Sequence, residues 1–131
     1  MEEEAQTPIF VIEGNDVGVY RSRADAERDI EPNHVKEGIY EAFDARGRRL
    51  KLAAAGHRTV IDLPKPYEQD PDLLAAKLRY YLAYIKDPAG DDPTCDLRCL
   101  IHASLTYAYE PFSLRRVVKE LIRNVGDVVK R

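Results

Sequence analysis

A chain of 131 residues with 44% hydrophobic and 33% charged residues has enough apolar matter for one packed core and too much for a disordered protein. Its net charge of −3 argues against general nucleic-acid binding, and its longest uncharged apolar stretches, "PIFVI" and "LAAAG", fall far short of the roughly 18 residues that cross a bilayer. The acidic, polar start "MEEEAQTP" has no resemblance to a secretory leader and two cysteines are too few for a disulfide scaffold, so a soluble protein of the reducing cytoplasm is expected.

In chain order, "PIFVIEGNDVGVY" reads as a hairpin, because two runs rich in β-branched and aromatic residues flank Gly14, Asn15 and Asp16. Ser22 then has the character of a helix N-cap, with Asp25 at the third following position, and a short helix is predicted from Arg23 to Ile30, stopped by Pro32. "GIYEAFDARGRRLKLAAA" alternates on both sides of a turn at "ARGR": Ile39, Glu41 and Phe43 share one face, and Tyr40, Ala42 and Asp44 the other. Gly56 and His57 turn the chain into "RTVIDLP", a fifth strand that ends at Pro64 and Pro66.

The period then changes. Asp70 as cap and Pro71 at the first helical position open a helix whose Leu74, Leu78, Tyr81, Leu82 and Ile85 form one stripe. Asp92 and Pro93 repeat the start signal for a helix with Leu97, Leu100, Ile101, Leu105 and Ala108 on its stripe, ended by Pro111. Ser113 precedes a last helix with Leu114, Val117, Val118, Leu121, Ile122 and Val125 facing inward. The prediction is a single α+β domain over residues 1–131, mainly strands over 1–66 and helical over 67–131: an antiparallel sheet of about five strands in the order ββαβββ, followed by three helices packed on one face.

Reaction chemistry is hard to find. Cys95, Cys99 and His102 are spaced by four and three, so a helix would project them from one face. A structural zinc wants four ligands and a redox pair normally has two intervening residues, so free cysteines filling the flank of a packed helix are the simpler expectation. Ser22 and Ser113 are explained as caps, no serine sits on a Gly-flanked elbow, and "GNDVG" and "ARGRR" lack the strand, loop and helix setting of a phosphate site. No catalytic residue, cofactor or metal is assigned. Tyrosine usage is more telling: of eight tyrosines, Tyr80, Tyr81, Tyr84, Tyr107 and Tyr109 fall in two adjacent helices, and Tyr80 and Tyr84 lie off the leucine stripe. They either cap the core edge or form a recognition patch.

Charge is segregated. Residues 1–44 carry 12 acids against 4 bases, 45–66 carry 1 against 6, 67–110 carry 8 against 4, and 111–131 carry 2 against 6. The stretch "DVGVYRSRADAERDIEPNHVKEGIYEAFDARGRRLKL", residues 16–52, resembles small bacterial immunity proteins of polymorphic toxin systems, through Ser22, Glu31 and Pro32 and then Glu37, Gly38, Tyr40, Ala42, Asp44, Gly47, Arg48 and Leu50. That resemblance implies a cytoplasmic, non-enzymatic inhibitor that occludes the active site of a toxin. A basic toxin would be steered by the acidic first block, with Asp16, Glu31, Glu37, Glu41 and Asp44 as contacts and Tyr40 as the aromatic anchor among them. Two other classes stay open: a metal protein or enzyme using Cys95, Cys99 and His102, and a nucleic-acid regulator using the basic tail "SLRRVVKELIRNVGDVVKR" with the "RGRRLK" turn.

Overall fold

The structure, a computed structural model, describes residues 4–109. Strands β1 (Ile9–Glu13) and β2 (Asp16–Tyr20) form the first hairpin, and β3 (Tyr40–Phe43), β4 (Arg49–Ala55) and β5 (Arg58–Asp62) form a meander. All pairings are antiparallel and the sheet order is β2-β1-β3-β4-β5, so the third strand returns beside the first. The helices are α1 (Arg23–Asp29), α2 (Pro32–Lys36), α3 (Pro71–Tyr84) and α4 (Leu97–Tyr109), with a 3₁₀ turn at Pro88–Asp91. The predicted α+β class with a five-stranded antiparallel sheet is what the chain adopts. The helix expected after Ser113, and the stop at Pro111, lie outside the described residues.

The local start signals work as capping chemistry requires. The Ser22 hydroxyl accepts from the Asp25 amide at 3.0 Å, and the Asp70 carboxylate accepts from the Leu73 amide with Pro71 behind it. Two signals resolve differently. Pro32 does not simply end α1; it opens α2 as its first residue, where a missing N–H costs nothing and the fixed φ suits the first turn. Asp92 does not cap α4 but closes a turn onto Thr94, accepting from both its amide (2.9 Å) and its hydroxyl (2.7 Å). The cap is Asp96, four residues on, whose carboxylate accepts from the Cys99 amide at 2.9 Å while its carbonyl accepts from Leu100.

The helices divide between the two faces of the sheet. Phe10, Ile12, Val17, Val19 and Phe43 pack against Leu74, Leu78 and Leu82 of α3 and Leu100 and Ala103 of α4. On the other face, Ile9, Val11, Ala42, Leu50 and Ile61 pack against Ala26 and Ile30, with Val35 of α2 partly buried beside them. The predicted one-sided packing describes the C-terminal helices only. Strand β1 accounts for the rest, since Ile9, Phe10, Val11 and Ile12 are all buried and an unbroken apolar run needs cover on both sides. Burying each such side chain stabilises the fold by about 1.5–3 kcal/mol.

Both outer strands are clasped by side chains. On β2, the Tyr109 hydroxyl donates to the Val19 carbonyl (2.6 Å) and accepts from the Arg21 amide (3.1 Å), with the Arg21 guanidinium 4.1 Å from the tyrosine ring centroid. On β5, the Ile61 amide donates to the Glu27 carboxylate at 2.8 Å. These contacts occupy main-chain groups that would otherwise invite another strand.

The β3–β4 turn holds a buried ion pair, Asp44 with Arg48, the two being 0% and 1% exposed. One Asp44 oxygen accepts from the amides of Arg46 (3.0 Å) and Arg48 (2.9 Å); the other accepts from the Gln6 amide (3.1 Å) and from Arg48 Nε and Nη2 (2.8 Å each). Arg48 Nη2 also donates to the Glu4 carbonyl at 3.1 Å, and its guanidinium lies 5.0 Å from the Tyr67 ring centroid. Next to it, Gly47 has φ +77°, and a Cβ there would fall 2.5 Å from Pro71 Cα, so only glycine fits. Replacing Arg48 with Met leaves the Asp44 charge buried and is expected to cost about 3–5 kcal/mol in urea denaturation. Arg49→Met, which breaks solvent-accessible pairs with Glu41, Glu68 and Asp70 and a guanidinium contact 5.2 Å from the Phe43 ring centroid, should cost under about 1 kcal/mol.

Candidate functional site

At the end of the sheet opposite the Asp44 turn, three residues stand in one row across three strands. Asp16 of β2 pairs with Glu13 of β1, and Glu13 pairs with Tyr40 of β3. Side chains in register across a sheet are about 5 Å apart at Cβ, so the two carboxylates and the phenol form one surface. Helix α2 delivers two more acids to it, because the helix is only five residues long and is bounded by Glu31 at its start and Glu37 at its end. Glu13, Asp16, Glu31 and Glu37 are all exposed. Tyr40 is half-buried among them, with its hydroxyl 3.4 Å from His34 Nδ1.

The phenols register this environment. Loss of water around the Tyr40 hydroxyl raises its pKa above the ordinary tyrosine value, and the charges of Glu13, Glu37, Glu31 and Asp29 push it the same way. Tyr20, beside it, is raised further, first by burial and then by the hydrogen bond its hydroxyl donates to the Asp29 carboxylate at 2.6 Å. Both hydroxyls therefore remain proton donors in alkaline solution.

Beside the row, a groove of about 500 Å³ opens between the β1–β2 turn and the C-terminal end of α3. Glu13 and Asp16 line one side, and Tyr81, Tyr84 and Tyr107 the other. Tyr84 is 72% exposed and Tyr80, nearby on α3, is 55% exposed, which is unusual for large aromatic side chains. Tyr81 and Tyr107 meet edge to face with ring centroids 6.4 Å apart. Aromatic faces and carboxylates together favour a cationic group, and the C-terminal end of α3 adds partial negative charge.

Of the residues assigned from the sequence, Asp16, Glu31, Glu37 and Tyr40 come together here. Glu41 alternates to the other face of β3, where it sits 3.9 Å from Arg49. Asp44 must be removed from the contact set: it is fully buried and its carboxylate is committed to Arg48 and three backbone amides. Glu13, Tyr20 and Asp29 belong to the surface and were not anticipated, since their proximity to Tyr40 depends on β3 pairing with β1, where Glu13 meets Tyr40 across 27 positions of sequence, beyond the reach of local patterning.

The cysteine expectation is overturned. Cys95 and Cys99 are joined to each other in a disulfide, so they are neither free fillers nor thiolate ligands. Cys95 precedes α4 and is buried in the core, Cys99 lies on the first turn and is exposed, and His102 is exposed further along. Among the described residues no three metal-ligating side chains cluster. The basic tail of the nucleic-acid reading lies outside the described residues.

A phenol whose pKa is raised by folding binds its proton more tightly in the folded state, so it contributes stability below about pH 10 that is lost as pH rises further. Wild-type protein should therefore lose stability more steeply above about pH 10 than Tyr20→Phe, measured as guanidinium midpoints across the alkaline range. Equal slopes would show that Tyr20 ionises without constraint. Compared with known proteins, the chain matches no family model, no curated protein and no solved structure.

Proposed function

We propose that this chain is a non-enzymatic protein-binding module, an immunity protein or antitoxin that neutralises a toxin by covering its active site. The observation that carries the reading is the acidic row of Asp16, Glu13 and Tyr40, flanked by Glu31 and Glu37 and continued by the tyrosine-lined groove. Such a surface suits a basic protein partner. Clustered carboxylates speed encounter with a positive face and disfavour nucleic acid and anionic membrane, while tyrosines supply apolar area with a donor at the tip.

Docking through this surface is a side-chain event. The Val19 carbonyl of β2, the Arg21 amide just past its end and the Ile61 amide of β5 already have partners, so strand addition at either outer edge meets an obstacle. The described residues contain no helix long and apolar enough to cross a membrane. On this reading the chain works in the cytoplasm of the cell it protects, and no cofactor takes part.

The test is rescue and binding together. Wild-type protein should restore growth to cells producing the toxin encoded in the neighbouring reading frame and should bind it with an association rate that falls as salt rises. The triple variant Asp16→Lys, Glu37→Lys, Tyr40→Ala should lose rescue and weaken binding by about a hundredfold or more. The double variant Asp16→Lys, Glu37→Lys, whose positions are exposed, should weaken binding with a melting temperature near wild type, whereas Tyr40→Ala also strips packing from the core cluster around Val11 and Ala42. Rescue that survives the triple variant would move the contact elsewhere on the molecule, and absence of rescue by wild type would remove the reading.

A further inference from the structure

We infer that the Cys95–Cys99 disulfide is a thiol-exchange site, attacked at Cys99, whose opening loosens the first turn of α4 without unfolding the domain. The two sulfurs are not equivalent. Cys95 is 2% exposed and packed in the core with Leu78, Leu82 and Leu100, whereas Cys99 is exposed on the helix surface. A low-molecular-weight thiol, or the thiolate of a reductase, therefore reaches Cys99 and not Cys95.

The exchange balances in two steps. A thiolate attacks Cys99 Sγ, forming a mixed disulfide and expelling Cys95 as a thiolate, which takes up a proton. A second thiolate attacks the sulfur of the bound group, releasing the small-molecule disulfide and leaving Cys99 reduced. The protein gains two electrons and two protons, and two external thiols become one disulfide.

The surroundings decide what opening does. The bridge closes the chain across the junction between the 92–96 segment and α4. That segment is also held by Arg79 of α3, whose Nη1 donates to the Asp92 carbonyl (2.7 Å) and whose Nη2 donates to the Cys95 carbonyl (2.6 Å). At its other end α4 is held by Tyr109 on β2. With Arg79 and Tyr109 in place, losing the bridge frees the Asp96–Leu100 turn and leaves the remaining contacts of α4 made. In reducing surroundings a bridge of this kind is transient and reports the thiol poise, as cytosolic disulfides usually do. This step is independent of the partner's identity.

Full-length oxidised protein is treated with millimolar reduced glutathione without denaturant and followed by intact mass, peptide mapping and hydrogen exchange. A transient glutathione adduct is expected on Cys99 alone, followed by the dithiol form. Amides 96–100 should then exchange about tenfold faster, and the melting temperature should fall by roughly 5–10 °C. Native alkylation of the dithiol form should label Cys99 and spare Cys95 until the protein is unfolded. Cys99→Ser, which keeps the buried Cys95 thiol, should reproduce the exchange and melting of the dithiol form. An adduct on Cys95, a bridge that resists glutathione until denatured, or Cys99→Ser behaving like the oxidised protein would each overturn the inference.

Discussion

The pairing of Asp44 with Arg48 is the constraint on which the arrangement of this domain rests. Two opposite charges removed from water are tolerated only when every polar atom around them finds a partner, and here the carboxylate receives three backbone amides besides the guanidinium. Those amides come from the N-terminal segment and from the β3–β4 turn. Neighbouring backbone bonds extend the same junction to the approach to α3, through Asp70 N–H to the Gly47 carbonyl and Arg49 N–H to the Glu68 carbonyl, both 2.8 Å. Three stretches distant in sequence are thus fixed at one point, and α3 leaves that point with its leucine stripe already aimed at the sheet.

Strand β3 carries the consequence to the acidic surface. At Phe43 it is locked beside the ion pair; at Tyr40 it lies next to Glu13 of β1. Its pairing with β4 covers just Ala42 with Leu50 and Phe43 with Arg49, whereas β4 and β5 pair along five residues. The Tyr40 end is therefore supported by β1 on one side and by α2 over the sheet, not by a full ladder on both sides. One strand of four residues joins a rigid, buried junction to an exposed, charged face, and the first fixes the register of the second.

Much of the fold was legible in the sequence because its signals are local. Turn glycines, alternation in "IYEAF" and "RLKL", and the Asp70–Pro71 start depend on residues within a few positions of one another. What escaped depends on contacts between distant segments. Asp44 belongs by sequence to the acidic block of residues 1–44, which points to a surface acid, yet its burial depends on Gln6 and Glu4, some 40 positions earlier. The two-sided cover of the sheet was signalled by Ile9, Phe10, Val11 and Ile12 in succession, a pattern that reads equally well as the start of a one-sided hairpin. Cysteines four apart gave no clue to bridging while both were placed within one helix; placing Cys95 before the Asp96 cap changes that geometry.

The residues behind the proposed immunity-protein reading divide accordingly. Ser22 caps α1, Pro32 opens α2, Gly47 and Arg48 build the ion-pair turn with Asp44, and Ala42 and Leu50 are core. Their roles are architectural. Glu31, Glu37 and Tyr40 are the members left at the surface, and they are the ones gathered around Glu13 and Asp16. A motif dominated by turn and core residues transmits a scaffold, and a scaffold of this kind keeps its shape whatever exposed side chains it displays. Under the proposed binding function, partner choice lies in the few solvent-facing positions, where carboxylate placement and tyrosine exposure can change without disturbing the junction at Asp44 that holds them in line.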